Sequence, residues 1–313
     1  MQTPRAVLTP DALAMLQAIA DAGSFAAAAR QLDLVPSALT YRVRQIEDAL
    51  DVLLFDRSSR QARPTAAGSE LLREGARLLC ELDAVANRIK RVATGWESQL
   101  TVAVDTVISR AVMMELCEAF LALNPPTRLR LLDETLSGTL ETLNAGQADL
   151  AIGVPMEAGT LADIQHRPLG SVNFVYAVAP HHPLATASEP LTDELLRQHR
   201  VIAVADSTQR GQGITIGVLV GQDVFTVPSM AAKLDAQLRG LGSGFLPQRL
   251  AQPFIETGRL VVKAVQRPAR QTALRYAWRG SSATQPGRAL QWWLAQLESP
   301  ATRRALLEMH RSV

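Results

Sequence analysis

Several features of an exported, disulfide-bonded or membrane-embedded protein are missing from this 313-residue sequence. Its two cysteines, Cys80 and Cys117, are too few for a disulfide framework and lack the spacing of metal ligands. The N-terminus carries Asp11 and Asp21 and has no signal-peptide core. No apolar run reaches the roughly 20 residues that a membrane span needs. We therefore expect a cytoplasmic protein without a membrane partner, and we expect Cys80 to be a small buried thiol.

The motifs of common enzyme classes are missing as well. We find no nucleophile elbow, metal motif, P-loop or dinucleotide fingerprint. The segment Gly240–Gly244 follows a predicted helix, which favours a tight helix-to-strand turn over a phosphate-binding loop. Adjacent histidines in a strand point to opposite faces, so we interpret His181-His182-Pro183 as a surface turn. The sequence thus predicts no catalytic residue, no metal site and no cofactor.

What remains is an ordinary globular composition, with 47% hydrophobic and 20% charged residues and a net charge of +2. A chain of this length can form two or three domains. Because the net charge is small, any surface that binds nucleic acid must be local. Arginine far outnumbers lysine, and its planar fork suits bidentate contacts with guanine and phosphate.

The stretch from Ser24 to Leu50 predicts a helix-turn-helix. Ser24 is a good N-cap for a short alanine-rich helix, a tight break follows at Asp33 to Val35, and Pro36 suits the first turn of a second helix. An apolar stripe is formed by Leu39, Val43, Ile46 and Leu50, and the opposite face is polar and basic. An ordinary helical hairpin with a solvated face is the alternative. In a helix-turn-helix the second helix would enter the major groove.

The segment after this helix favours DNA binding. Leu53-Leu54-Phe55-Asp56-Arg57 is an apolar run that ends in a base, and Arg57, Arg60 and Arg63 recur at every third residue. An arginine-tipped wing could lie along phosphates and reach a minor groove. The candidate DNA-binding residues are Ser24, Pro36, Ser37, Ala38, Thr40, Tyr41, Arg42, Arg44, Arg57, Arg60, Arg63 and Thr65.

Four short motifs resemble the LysR-type transcriptional regulators in order and spacing: Ser24-Phe25 through Ala28-Ala29, Ser37-Ala38-Leu39-Thr40, Leu53-Leu54-Phe55-Asp56-Arg57 and Thr65-Ala66-Ala67-Gly68. The resemblance implies a winged helix-turn-helix over 1–64, a linker and dimerisation helix over 65–93 and a hinge over 94–98. It further implies an effector-binding domain over 99–300 and a C-terminal tail over 301–313. Val35-Pro36 replaces the family's usual polar pair, and Asp51 replaces the glycine that commonly ends the recognition helix.

A long helix beginning at Thr65 carries a nearly heptad apolar stripe, including Leu78, Leu82, Val85 and Ile89. Such a helix needs a partner. Packing against its own wing explains the first turns, and the family resemblance implies antiparallel pairing of two chains for the rest. A dimer would present two recognition helices to an interrupted palindromic promoter site in double-stranded DNA. A homotetramer is the expected larger assembly, and RNA polymerase is a candidate partner.

Beyond the hinge the pattern changes to alternating strands and helices, which predicts an α/β fold with a parallel sheet. The resemblance implies a two-lobed, periplasmic-binding-protein-like domain. Lobe one would comprise about 99–168 and 273–300, and lobe two about 169–272. The tail would begin at 301.

Ligands of open α/β sheets bind beyond the carboxyl ends of the strands. That rule selects a candidate effector site between the lobes, made of Asp105, Thr106, Ser109, Glu134, Thr135, Ser137, Asp206, Ser207, Thr208, Pro228 and Ser229. Asp105 and Asp206 could instead cap helices. An acid at 105 would repel a carboxylate, so we hypothesise a neutral, phenolic or amine-bearing effector.

The leading prediction is thus a DNA-binding transcriptional regulator that responds to a small-molecule effector. A solute-binding protein or ligand-binding module without a regulatory role is the alternative, because the two-lobed fold is shared with such proteins. The missing signal peptide and the N-terminal winged helix argue against that alternative.

Overall fold

The computed structural model describes residues 3–56, 61–155, 164–208, 215–280 and 285–308. The chain divides into two units, Met1–Arg88 and Ile89–Val313. The first unit is mainly helical, and the second contains nearly all of the β-structure.

The first unit contains helices α1 (Pro4–Val7), α2 (Pro10–Ala22), α3 (Phe25–Gln31) and α4 (Pro36–Leu50), strands β1 (Phe55–Asp56) and β2 (Arg63–Pro64), and most of helix α5 (Ala66–Thr94). Local chemistry explains the helix starts. The Thr9 and Ser24 hydroxyls accept from the amides of Ala12 and Ala27, respectively. Gly23 ends α2 in the left-handed conformation.

The three-helix core forms as the apolar pattern predicts. Leu39, Val43 and Ile46 of α4 are buried against Leu16 and Ile19 of α2 and the small Ala28 and Ala29 of α3, so that the helices approach closely. At the end of α4, Asp51 adopts the left-handed conformation with φ 54°. Asp51 therefore serves where glycine is more usual, since aspartate tolerates this conformation better than most residues.

The wing is a two-stranded antiparallel ribbon in which Phe55 pairs with Pro64 and Asp56 with Arg63. It is attached to the helical core by the T-shaped contact of Phe55 with Phe25, whose ring centroids are 5.6 Å apart.

The second unit contains β3 (Gln99–Asp105), α6 (Arg110–Leu121), β4 (Arg128–Glu134), α7 (Gly138–Asn144), β5 (Leu150–Pro155), β6 (Ile164–Val178), α8 (Asp193–Arg197), β7 (Val201–Val204) and β8 (Val224–Val227), followed by α9 (Met230–Leu238), β9 (Gly244–Pro247), α10 (Gln248–Glu256), β10 (Val261–Lys263), β11 (Arg270–Arg279), α11 (Arg288–Glu298) and α12 (Pro300–Glu308). The predicted β-α-β-α-β segment is parallel, because β3 pairs in parallel with both β4 and β5. The α/β fold class is therefore confirmed.

Two long strands connect the lobes. β11 pairs antiparallel with β6 over its whole length and with β5 through its carboxyl half. The carboxyl half of β6 pairs with β9 on one side and β10 on the other. β7 and β8 pair in parallel, and Val201 bridges to Ser243 beside β9. Lobe one is thus built around β3, β4 and β5, and lobe two around β7 to β10.

The structure corrects two expectations about this unit. The tail expected from residue 301 contains α12, whose Leu306 is fully buried in the main core with Trp293. The turn expected around His181 forms and His181 is exposed, but His182 is buried and its Nδ1 accepts from the Leu184 amide 3.2 Å away.

Cys80 differs from its predicted state as well. Its thiol is only half-buried on α5, whereas Cys117 of α6 is buried. Among the described residues, no helix is long and apolar enough to cross a membrane.

Candidate functional site

The polar face of α4 is the candidate DNA interface. Ser37, Tyr41 and Arg44 recur at helical spacing and are all exposed, with Tyr41 at 63%. Arg42 is exposed beside this face. No ion pair engages either arginine among the described residues, so both cations are available to phosphates or base edges.

Other predicted residues of this helix have supporting positions. Pro36 is exposed at the first helical position, where no amide donor is lost. Ala38 is half-buried. The Thr40 hydroxyl donates to the Pro36 carbonyl oxygen at 2.9 Å and Tyr41 accepts from Gln45 at 3.0 Å, so both side chains are held against the helix.

Two predicted DNA-binding hydroxyls have internal partners. Ser24 caps α3. Thr65 donates to the Leu53 carbonyl oxygen at 2.7 Å and accepts from the Gly68 amide at 3.0 Å, which caps α5 and attaches it to the segment before the wing. The capping of a helix is therefore sufficient to explain the residue type at both Ser24 and Thr65.

The arginines of the wing are only partly described. Arg63 is exposed on β2, and its guanidinium donates twice to Gln61 at 3.2 and 3.1 Å. Arg57 and Arg60 lie outside the described residues.

Glu47 is a residue that the sequence reasoning missed. It lies on the inner side of α4, is 4% exposed, and accepts from the Leu54 amide at 2.8 Å and the Phe55 amide at 3.4 Å. This carboxylate thus fixes the start of the wing to α4. An acid within an apolar stripe, where solvation is lost, is the pattern that could have revealed it.

The predicted effector residues at the strand ends form a polar contact between the lobes, which we term the interlobe network. The Thr135 amide donates to Ser207 at 2.9 Å, and the Thr135 hydroxyl donates to the Ala205 carbonyl oxygen at 2.6 Å. Asp206 accepts from the amide and the hydroxyl of Ser137. The Ser207 hydroxyl also contacts Glu134. A further contact of this network joins Thr208 to Glu141.

Gly138 permits this close approach. A methyl group there would lie 1.9 Å from the Ser207 hydroxyl oxygen and 2.7 Å from a carboxylate oxygen of Glu134. Both distances are far shorter than van der Waals contact. The interlobe network in this arrangement therefore requires glycine at position 138.

Asp105 lies at the end of β3, beside Glu134 in the sheet register, and is only 7% exposed. Its carboxylate accepts from the Val107 amide at 2.8 Å and from the Leu136 amide at 2.9 Å. Burial raises the pKa of Asp105 to about 7, and the nearby Asp206 and Glu134 act in the same direction. Asp105 thus joins the loops after two neighbouring strands.

A cavity of about 430 Å³ opens next to Asp105. Its walls come from lobe one and from the start of α9 in lobe two, and most of them are apolar. The lining residues are Val104, Asp105, Thr106, Ile108, Arg110, Met113, Met114, Leu131, Leu132, Asp133, Ser229 and Ala231. Of the predicted effector residues, the structure therefore brings Asp105, Thr106 and Ser229 to one cavity.

The other candidates near this cavity serve the helices. Ser109 is fully buried, caps α6 through the Val112 amide at 3.4 Å, and donates its own amide to the Leu306 carbonyl oxygen. Ser229 caps α9 through the Ala232 amide at 3.2 Å, and Pro228 immediately precedes it. The Met230 amide reaches the Thr106 hydroxyl at 3.4 Å, which joins the lobes at a second point.

A helix-turn-helix with a wing and an open basic face, together with a two-lobed α/β domain that holds a cavity, defines the class of effector-responsive transcription regulators. Two family models then identify the family. Residues 10–69 match the bacterial regulatory helix-turn-helix protein of the lysR family, and residues 93–300 match the LysR substrate binding domain. The chain belongs to the LysR family of transcriptional regulators.

Individual relatives agree with this assignment. The chain is 36% identical over 283 residues to the uncharacterized HTH-type transcriptional regulator YeeY of Escherichia coli K12, covering 90% of this chain and 91% of the relative. It is 35% identical over 290 residues to the probable HTH-type transcriptional regulator YhaJ of Escherichia coli K12, covering 93% and 96%. Both relatives are named as transcriptional regulators, in agreement with the family.

Solved structures show the same fold. The crystal structure of full-length CbnR complexed with its target DNA aligns over 92% of this chain and 98% of that one, with a TM-score of 0.57 and 19% identity. The match to a DNA-binding family over residues 10–69 also excludes the solute-binding alternative.

Proposed function

We propose that this regulator binds an interrupted palindromic promoter site as a dimer and that an effector in the cavity beside Asp105 alters its promoter activity. The observation that carries the proposal is the open polar face of α4 on a fold that belongs to a family of DNA-binding regulators. In this arrangement Ser37 and Tyr41 approach base edges. Arg42 and Arg44 bind phosphates or guanines.

The dimer is supported by an apolar stripe on α5. Five exposed apolar residues follow one another at alternating steps of four and three, which is the spacing of a coiled-coil seam. They are Leu78 (46% exposed), Leu82 (49%), Val85 (42%), Ile89 (66%) and Val92 (85%). A second copy of the same helix, running antiparallel, covers this seam and brings two copies of α4 to one duplex.

The chemistry of the cavity favours an effector with an apolar body. Ile108, Met113 and Leu131 line it, and methionine adapts readily to irregular ligands. Two backbone amides at the strand ends, those of Val107 and Leu136, could have held an effector carboxylate, but Asp105 already accepts from both. We therefore expect a neutral, phenolic or amine-bearing effector in this cavity.

The effector can act only through a difference in affinity between two arrangements of the lobes. The interlobe network supplies one such arrangement, because the Thr135–Ala205 and Ser137–Asp206 bonds exist only while the lobes are close. An effector that reaches both lobes through the walls of the cavity would bias this contact. Pairing of dimers into tetramers, contact with RNA polymerase and a cytoplasmic location remain expectations.

The proposal is tested by genome-wide footprinting of the bound full-length protein, followed by binding assays on the recovered sites. We expect inverted half-sites separated by about one or two turns of DNA. Spacer insertions of half a turn should weaken binding more than those of a full turn. Sites without dyad symmetry, or indifference to spacer length, would contradict the dimeric mode of binding.

The effector hypothesis needs a separate measurement. Thermal unfolding of the full chain against a panel of small molecules should give the largest stabilisation with neutral, phenolic or amine-bearing compounds. A plain dicarboxylate as the best ligand of this cavity, undiminished at high pH, would rule the hypothesis out. Substituting Met113 with lysine should remove the response if the cavity is the binding site.

A further inference from the structure

A buried polar cluster lies within lobe two, away from the cavity described above. Lys233 and Gln237 are one helical turn apart on α9, and they are only 6% and 0% exposed. The two side chains meet at Gly244 of β9, where a methyl group would lie 3.1 Å from the Gln237 amide nitrogen and 3.3 Å from the Lys233 ammonium nitrogen. Neither residue lines the cavity beside Asp105.

Neither buried side chain has a protein partner within the described part of the chain. Both polar atoms of the Gln237 amide lack a hydrogen bond. The Lys233 ammonium group is likewise not paired with any carboxylate or carbonyl oxygen there. Buried polar groups are nearly always hydrogen-bonded, because leaving them unpaired costs stability.

Lys263 is a second buried lysine of the same lobe, and its ammonium group has partners within the fold. It is 8% exposed, donates to the carbonyl oxygens of Ala185 and Ala187 at 3.2 and 2.9 Å, and pairs with Glu189 at 2.8 Å. Lys233 has the same burial without these partners. The difference indicates that the partner of Lys233 is not part of the fold.

A second cation stands beside this cluster. The Arg270 guanidinium lies over the rings of Phe174 and Phe245, at 5.1 and 5.7 Å from their centroids. Burial lowers the pKa of Lys233 to about 7, with the positive charge of Arg270 contributing in the same direction.

We propose that Lys233, Gln237 and Arg270 form a binding site for an anionic oxygen group of a small molecule. The Lys233 ammonium and the Gln237 amide nitrogen would donate to its oxygens, and Arg270 would add a planar, charged donor. The glycine at 244 leaves the space in front of both donors, and its φ of 153° disfavours any side chain there. A carboxylate, a sulfate and a phosphate share this chemistry.

The first test measures thermal unfolding of the full-length protein in sodium acetate, benzoate, sulfate and phosphate, each against sodium chloride at equal ionic strength. We expect a saturable rise in melting temperature with at least one of these anions. The four salts distinguish two classes of ligand: acetate and benzoate report on the binding of carboxylates, and sulfate and phosphate report on the binding of inorganic oxyanions. Because sulfate and phosphate stabilise proteins generally, only the part of the rise in melting temperature that is lost in a variant of the site is evidence for specific binding.

Lys233→Met is that variant, and Lys263→Met is its matched control. Lys233→Met should remove the saturable response, because the affinity for the anion falls at least tenfold. The melting temperature of this variant without anion should be unchanged or higher. Lys263→Met should lower the anion-free melting temperature and keep the response. Equal anion responses in wild type and Lys233→Met would overturn the proposal, and so would a loss of stability in Lys233→Met as large as in Lys263→Met.

Gln237→Glu gives an independent test that does not rely on deleting a charge. It places a carboxylate of nearly the same shape beside Lys233, so it should raise the anion-free melting temperature and abolish the anion response by occupying the site from within. A destabilised variant with an unchanged response would overturn the proposal. DNA binding of the same wild-type samples is measured in parallel, so that failure of the promoter-binding proposal is seen separately.

Discussion

At the scale of single residues, the same side-chain type has different roles in different surroundings. Asp51 ends a helix in the left-handed conformation, Asp206 accepts across two lobes, and Asp105 is buried under two amides. The sequence could identify the latter two by their place after strands. The sequence could not show that Asp105 accepts from two backbone amides, because one of them belongs to Leu136, in the loop after the neighbouring strand β4.

Arg44→Ala is predicted to weaken promoter binding by tenfold or more, which corresponds to the roughly 1–3 kcal/mol of a lost arginine contact. The side chain is exposed on α4 and forms no ion pair with the described residues, so folding and effector binding should be unchanged. Fluorescence anisotropy on a recovered promoter site measures the effect. Arg239→Ala, which removes an exposed arginine paired with Asp235, is the control and should bind DNA normally. Equal loss of DNA and effector binding in Arg44→Ala would argue against separate modules.

Asp105→Asn is predicted to flatten the pH dependence of stability. In the unfolded chain this carboxyl group ionises near its usual pKa of 3.8, whereas in the folded protein burial raises its pKa to about 7. The unfolded state therefore binds fewer protons between these values, so the free energy of unfolding falls as pH rises from about 4 to about 7. At about 1.4 kcal/mol per unit, the change is a few kcal/mol at most.

Chemical denaturation of the wild type and Asp105→Asn across this pH range measures that slope. The variant should be less stable at low pH by about 1–3 kcal/mol, because the Asn amide group presents donors to one of the two backbone amides. Asp133→Asn, at an exposed position on the neighbouring strand, is the control and should keep the wild-type slope. Identical slopes in all three proteins would mean that Asp105 titrates at its ordinary value in the folded state.

At the scale of elements, local signals were reliable where a helix begins. Ser24 and Thr65 were each predicted to begin a helix, and each caps one. The helix α12 was missed because its polar sequence offers only Leu306 and Leu307 to the core, and their burial depends on a sheet assembled from distant segments. Long-range packing of this kind is not visible in a local pattern.

Helix α5 gives the prediction at this scale. Leu82→Lys should raise the dissociation constant of the dimer at least tenfold, since it places a charge in the centre of the apolar stripe. Asp83→Lys introduces the same residue one position away, on an exposed part of the helix outside the stripe, and should leave the dimer intact. Analytical ultracentrifugation over a range of concentrations measures both. An unaltered dimer in Leu82→Lys would require another interface.

At the scale of the whole C-terminal unit, alternating strands and helices predicted the α/β fold and the family resemblance implied two lobes, but neither predicted the contact between the lobes. Because ligands of open α/β sheets bind beyond the carboxyl ends of the strands, Glu134, Ser137 and Asp206 were predicted to be available for binding an effector. The structure shows them bonded to one another or to partners on the opposite lobe, because their side chains satisfy each other when the lobes meet.

Gly138→Ala is predicted to open this contact. The added methyl group would lie 1.9 Å from the Ser207 oxygen, so Ser207 must move and lose its bond to the Thr135 amide. We expect faster hydrogen exchange at the amides of Thr135 and Ser137 and a loss of about 1–3 kcal/mol in stability. Gly280→Ala, where the added methyl group would lie no closer than 3.7 Å to its nearest neighbour, is the control for steric contact. Unchanged exchange in Gly138→Ala would show that the lobes accommodate the methyl group.

The paired strands β6 and β11 also restrict how this gene can change its length. A single codon gained or lost within either strand would transfer every later side chain of that strand to the opposite face, for example exchanging buried Leu274 with exposed Ala273. Insertions and deletions should therefore be tolerated in the surface loops but fail in the two segments that run between the lobes. A library of one-residue deletions, selected for a stable product, would reveal these segments as two continuous intolerant blocks.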